Sequence, residues 1–411
     1  MRLGRFAAGL LLALTGFVVI DRPAVSAQTP ETDALLASLT MPLRIEGRSL
    51  AGPGADWLLA QAAAADFFLL GEQHTTAEIG LLSAGLFERL VPAGYAVAAI
   101  EVGPWSTRRM ESMLRDGQSF ERYLAEPAHR TVFPFYGLRE DTEFLRTVIA
   151  RSPRKDGVLW GLDQEFVGAA PVLLDELERL ADSEVQFAAV RTLREASRSD
   201  RMALATGSDA PWQALHEAFA GNVPAQAITA DILVSRRIYA PYMERGGSYY
   251  LANDERERYM KSQLAERLRE STGPRGEWPK VFVKAGAYHL AYGHSPTGVL
   301  SLATFVREYA HASGRTAFSV HVDCLSGEST DVFAGGTAPC KSAYVGPDSP
   351  LRKFVDVQKP VLVDLRSLRA KRSVWRDWDE QTKSLILAYD AYLALPKVTP
   401  GAVIDGPEAG P

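Results

Sequence analysis

Residues 67 to 74 read FFLLGEQH: four apolar residues in a row, a glycine, then a carboxylate and an imidazole two positions apart. An apolar run with no polar alternation marks a strand covered on both faces, as in a parallel sheet. Parallel strands need crossover connections, so this one segment commits the chain to alternating strands and helices. The sequence around it supplies them. After the strand at 66–71, Ile79, Leu82, Leu86, Phe87 and Leu90 recur at helical spacing until Pro92 and Gly94 end the helix. Tyr95 to Ile100 is a second apolar strand, closing at Glu101. A third, GVLWGL at 157–162, closes at Asp163, and a fourth, VFVKA at 281–285, leads into Gly286 and His289.

The fold class read from this pattern is α/β, with a mostly parallel or mixed central sheet flanked by helices. A helical insertion is expected at about 165–275, where Leu173, Leu174, Leu177 and Leu180 line one helix face and Arg and Glu fill the other. Further strands are expected at 316–324 and 359–364. The expected layout is a signal peptide at 1–27, an N-terminal segment at 28–59, the α/β domain at 60–345, a strand-and-helix extension at 346–399 and a disordered Gly/Pro/Ala-rich tail at 400–411.

The first 27 residues set the compartment. Arg2 and Arg5 precede an apolar run from Phe6 to Ile20, and a small-residue ending follows at Val25, Ser26 and Ala27. That is the layout of a secretory signal peptide cleaved after Ala27, with an apolar run short for a membrane span. The expected location is periplasmic or secreted, with no stable membrane span after cleavage. Cleavage removes Arg2, Arg5 and Arg22 against Asp21, taking the net charge from −5 to −7, which speaks against nucleic acid as a partner. Export also decides how to read the two cysteines, Cys324 and Cys340. In an oxidising compartment they are expected to form a disulfide across a Gly-, Ser- and Asp-rich loop.

In an open parallel sheet, ligands bind beyond the carboxyl ends of the strands. Glu72 with His74, Glu101, Asp163 with Glu165, and His289 all fall at such ends. Two histidines with carboxylates between them support one of two chemistries. Either His74 and His289 hold a divalent metal, or one of them acts as a general base that another group orients. GHSPTG at 293–298 imitates the nucleophile elbow of serine hydrolases, but Thr297 replaces its last glycine. Pro296 also removes the N–H that would build the oxyanion hole, so Ser295 is not read as a nucleophile.

LLGEQHTTAE at 69–78, AVAAIEVGP at 96–104, RERYM at 256–260 and VFVKAGAYHLAYG at 281–293 resemble the superfamily of erythromycin esterases, ChaN-type haem-uptake lipoproteins and TIKI/TraB-like proteins. The paired Gly-x-x-His motifs, at Gly71 to His74 and Gly286 to His289, carry most of the likeness. The resemblance implies a hydrolase-like site of Glu72, His74, Glu101 and His289. Arg256 falls where the esterase pattern has its arginine, fit to steady an oxyanion or a substrate carboxylate. The single Gln73 between Glu72 and His74 departs from the esterases and matches the ChaN and TIKI-like branches.

The function expected is an exported hydrolase that activates water against an ester or amide of a small-molecule or peptide substrate. The alternative is a periplasmic haem- or metal-binding protein without turnover. Tyr239, Tyr242, Tyr249 and Tyr250 are placed to flank a flat ligand, although tyrosines at this spacing also serve ordinary packing.

Overall fold

A computed structural model describes residues 29–244, 247–273, 276–355 and 358–406. The signal-peptide segment, 1–27, lies outside the described residues. Twelve strands are described: β1 (Thr40–Pro42), β2 (Arg44–Glu46), β3 (Ser49–Ala51), β4 (Phe67–Glu72), β5 (Tyr95–Ile100), β6 (Leu159–Gly161), β7 (Lys280–Gly286), β8 (Ala317–Cys324), β9 (Glu328–Thr330), β10 (Thr337–Pro339), β11 (Val361–Asp364) and β12 (Ala391–Leu395). Eight of them form one sheet in the order β1-β11-β12-β8-β4-β7-β5-β6. From β12 to β6 every neighbouring pair is parallel. The β11 and β1 edge is antiparallel, which makes the sheet mixed.

Both faces of the sheet are covered, which is why its strands read as unbroken apolar runs. Phe68 and Leu70 of β4 pack with Phe282 and with Leu82, Leu86 and Phe87 of the Ala77–Leu90 helix. Phe67 and Leu69 point the other way, into a cluster with Val281, Val283, Leu302 and Val306. Met260, Leu264 and Leu268 of the Tyr249–Glu270 helix join that second cluster beside Trp160 and Leu162. The long helix is thereby docked at the β6 end of the sheet.

Between β6 and β7 the chain forms five helices, from Ala170–Leu180 to Tyr249–Glu270. The stretch between β5 and β6 adds three more, Pro104–Arg115, Ser119–Ala125 and Arg139–Arg151, which the sequence reading passed over. The segments expected to lie outside the α/β domain are woven into it. β1, from the N-terminal segment, and β11 and β12, from the supposed extension, complete the sheet. Cys324, at the end of β8, is disulfide-bonded to Cys340. No helix among the described residues is long and apolar enough to cross a membrane. The disulfide is compatible with an exported protein.

The tail needs correction. Residues 400–406, expected to be disordered, are paired along their backbone. Pro400 bridges Thr76, Val403 bridges Leu138, and Ile404 is buried and donates its N–H to the Gly137 carbonyl. Their composition suits an extended strap whose backbone groups are satisfied by neighbouring loops rather than by water. Residues 407–411 lie outside the described residues.

Candidate active site

The sheet order brings the carboxyl ends of β4, β7, β5 and β6 side by side, and each delivers one part of the site. Glu72 is the last residue of β4 and pairs in register with Gly286, the last of β7. Glu101 follows β5 directly, Asp163 lies just past β6, and His289 sits in the short Ala287–Leu290 helix after β7. The Tyr249–Glu270 helix brings Arg256 and Glu257 across the top.

Glu101 is the centre of the cluster. Its Oε2 accepts the Gly286 backbone N–H at 2.7 Å and lies 3.3 Å from His74 Nε2. Its Oε1 accepts from Arg256 Nη2 at 2.7 Å and lies 3.3 Å from His289 Nε2. Each imidazole is backed by a second carboxylate: His74 Nδ1 meets Glu72 Oε1 at 2.9 Å, and His289 Nδ1 meets Glu257 Oε1 at 2.7 Å. The Phe135 ring stacks on His74, with ring centres 3.9 Å apart and planes 2° from parallel. Approach this close demands glycine at 286, because a Cβ there would lie 2.6 Å from His74 Nε2. His74 keeps a quarter of its side chain exposed, whereas the Glu101 side chain is 5% exposed, so solvent reaches the cluster at His74.

The five residues singled out from the sequence, Glu72, His74, Glu101, His289 and Arg256, therefore lie in one linked group. Arg256 does more than the sequence implied. Its Nε donates to Asp163 Oδ1 at 2.9 Å, and its Nη2 bonds both Asp163 and Glu101. Glu165 is not part of the group. Its carboxylate accepts the N–H of Trp105 at 2.8 Å and of Ser106 at 3.3 Å, satisfying donors at the start of the Pro104–Arg115 helix.

Sequence reasoning missed Lys284 and Asp141. Lys284 Nζ is fully buried, 2.6 Å from Glu72 Oε1 and 2.8 Å from Asp141 Oδ1, with the Tyr136 ring 5.2 Å away. The signal was a lysine inside VFVKAG, since a charge in a strand covered on both faces must have partners. Asp141 gave no such signal; it opens a helix amid other charges.

These contacts set the charges. Burial alone would lower the His74 imidazole, but the Glu101 carboxylate and then Glu72 outweigh it and lift the group to about 9. For His289, burial and Arg256 pull downward, while Glu101 and Glu257 prevail and lift it to about 10. Burial pushes Glu101 up, yet the two imidazoles hold it well below the usual carboxylate range. Glu72 is held low in the same way by Lys284 and His74. Asp141 is the exception, raised by burial to about 6 despite Lys284. At neutral pH the centre is an imidazolium, a carboxylate and a second imidazolium in a row.

A metal ion fits this set poorly. Glu101 already carries Arg256, Glu72 carries Lys284, and the ring nitrogens of His74 and His289 all face carboxylates. The described residues hold no group of three or more His, Cys, Asp or Glu placed to share an ion.

No family model and no curated protein matches the chain. Solved structures do. A Bacillus cereus protein superposes with a TM-score of 0.60 at 15% identity, covering 92% of this chain and all of that one. A mutant of the erythromycin esterase EreC in its open conformation gives 0.59 at 12% identity, covering 89% and 99%. A succinoglycan biosynthesis protein gives 0.56 at 15% identity, covering 92% and 100%. At such identities the likeness is one of fold, and it extends over nearly the whole chain.

Proposed function

We propose that this chain is a hydrolase in which His74 activates water against an ester or amide bond. The observation that carries the reading is the pair of Glu–His dyads, Glu72–His74 and Glu257–His289, meeting on the single carboxylate of Glu101 at the solvent-reachable edge of the sheet. The EreC fold, in which an esterase is built on the same architecture, supports it.

Glu72 keeps the Nδ1 proton of His74 in place, which leaves Nε2 as the basic atom. Neutral His74 takes a proton from water through Nε2 as the water oxygen bonds to the carbonyl carbon. The developing oxyanion is met by the guanidinium of Arg256, whose Nη1 is left over by the carboxylates that hold Nε and Nη2. When the tetrahedral intermediate collapses, the bond to the leaving group breaks and His289 gives that group its proton from Nε2. Solvent exchange then removes one proton from His74 and returns one to His289. In this reading the substrate is a small molecule or peptide bearing an ester or amide.

Haem or a divalent metal, the other ligands expected from the sequence, would have to displace the carboxylates from the imidazoles and share the site with two cations. A reading without turnover is accordingly the weaker one.

The test is an ester and amide screen of the metal-analysed mature protein, with and without chelator, beside His74→Ala. Chelator-resistant turnover that His74→Ala abolishes at an unchanged melting temperature is the expected result. A Soret band, stoichiometric metal, or full activity in His74→Ala overturns the reading.

A further inference from the structure

Thr75, the residue after His74, has a backbone φ of +67° and is the sole non-glycine residue with positive φ among those described. For a β-branched side chain this conformation is strained and persists only where the surroundings impose it. The surroundings are two segments far away in sequence. The Thr75 carbonyl accepts the N–H of Thr330, from β9, and of Gly401, from the C-terminal strap, each at 3.0 Å. Its hydroxyl donates to the His74 carbonyl at 2.7 Å.

Those two segments are locked together. Thr330 Oγ1 donates to the Gly401 carbonyl at 2.6 Å, and the Val398 carbonyl accepts the N–H of Glu328 at 3.2 Å. Val398 in turn donates to the Ser326 carbonyl, and Gly327 accepts from Cys340 N at 2.9 Å, within the loop that Cys324–Cys340 closes. On the other side of the turn, Ala77 N donates to the Thr399 carbonyl at 2.9 Å, and Thr399 bonds Glu78 through both its N–H and its hydroxyl. The disulfide loop, the strap and the His74 turn are thus one hydrogen-bonded unit.

We infer that Thr75 is a positioning residue for His74, and that the strap, with residues 398–399 leading into it, and the disulfide-closed loop are the clamp that holds it. An ordinary surface turn of this length would use glycine and no clamp. Here a strained residue stands directly behind the more exposed of the site's two imidazoles, and its carbonyl is bonded twice from outside. Closing the disulfide therefore prepares the site, so the chain reaches full competence only where thiols are oxidised.

The test uses the full mature chain in three forms: wild type, Thr75→Gly, and the Cys324→Ser/Cys340→Ser double variant. Glycine adopts positive φ freely, so Thr75→Gly folds; it keeps the carbonyl that Thr330 and Gly401 bond, but it deletes the hydroxyl bond to the His74 carbonyl and the Cβ that restricts the turn. Two readouts are taken. The kinetic one rests on the hydrolase reading: kcat on an activated ester falls at least tenfold in both variants, with KM within twofold. The other does not: an NMR titration follows the His74 imidazole, whose neighbours Glu72, Glu101 and Phe135 are the same in all three forms.

Loosening the turn weakens both carboxylate contacts, so the His74 midpoint drops by half a pH unit or more in both variants. A His74 titration that stays at the wild-type position in Thr75→Gly overturns the inference, whatever happens to melting temperature. Should the double variant not fold, Thr75→Gly alone decides. A wild type without turnover sinks the hydrolase reading and leaves the titration to judge the clamp.

Discussion

His74 and His289 reach the same carboxylate from opposite sides, each with Nε2 3.3 Å from a different oxygen of Glu101. The arrangement holds both rings protonated at neutral pH, His74 to about 9 and His289 to about 10. It therefore fixes the pH at which the two can take opposite roles.

A base must be unprotonated and an acid protonated, so the productive form has neutral His74 and charged His289. At pH 7 only about one molecule in a hundred has a neutral His74. The rate kcat/KM should rise about tenfold per pH unit from neutrality and peak between about pH 9 and 10. Glu101→Gln removes the charge that raises both groups, so its rising limb should move toward acid. A profile flat from pH 6 to 9 in the wild type would reject His74 as the base.

Stability should run against activity. Both histidines have folded-state values raised above the ordinary 6.5, so their contribution is complete below about pH 6.5. It is lost as pH climbs through about 9 and 10. Glu72 and Glu101 are lowered, so theirs is present above the ordinary carboxylate value and lost as pH falls below it. Asp141, raised to about 6, trims stability as pH rises from its ordinary value to that point. The melting temperature, followed by calorimetry, should fall steadily from about pH 6.5 to 10, and Glu101→Gln should flatten that slope.

Glu165 separates a structural acid from the reacting ones. Its carboxylate serves the N-terminal donors of the Pro104–Arg115 helix, and burial raises it to about 7. Because the folded state binds the extra proton, its support is greatest at low pH and shrinks as pH rises toward 7. Glu165→Ala should cost about 1–2 kcal/mol at pH 5 by urea titration and less at pH 8. The pH–rate profile should be unmoved; a shifted profile would place Glu165 in the reaction.

The sequence marked the site because its physics is local there. An apolar run that must end at a glycine and a charge announces a strand terminus, and four such termini gave Glu72, Glu101, Asp163 and His289 in one crevice. What it hid was pairing across long separations. Asp141 meets Lys284 only through the fold, and Glu257 looked like one more charge on the RERYM helix until His289 was placed against it. The tail misled for the same reason. Gly and Pro at 400–406 signal disorder when no partner is in view, yet here the Thr75 and Gly137 carbonyls and the Glu140 carboxylate accept the backbone N–H groups of Gly401, Ile404 and Ala402.

Gly286 offers the sharpest test of the geometry. A single methyl there would meet His74 Nε2 at 2.6 Å and Glu101 Oε2 at 3.2 Å, so one of the two side chains must move. His74 is the freer, its side chain being a quarter exposed against 5% for Glu101. The φ of −52° at Gly286 suits alanine, so the backbone itself bears no strain. Gly286→Ala should then cost about 1–3 kcal/mol in stability, as added volume in a packed site does. The loss in kcat should be far larger, on the order of 100-fold, because an angstrom of displacement at a base is enough. Wild-type kcat in a folded Gly286→Ala protein would mean that Nε2 of His74 does not work where the cluster holds it.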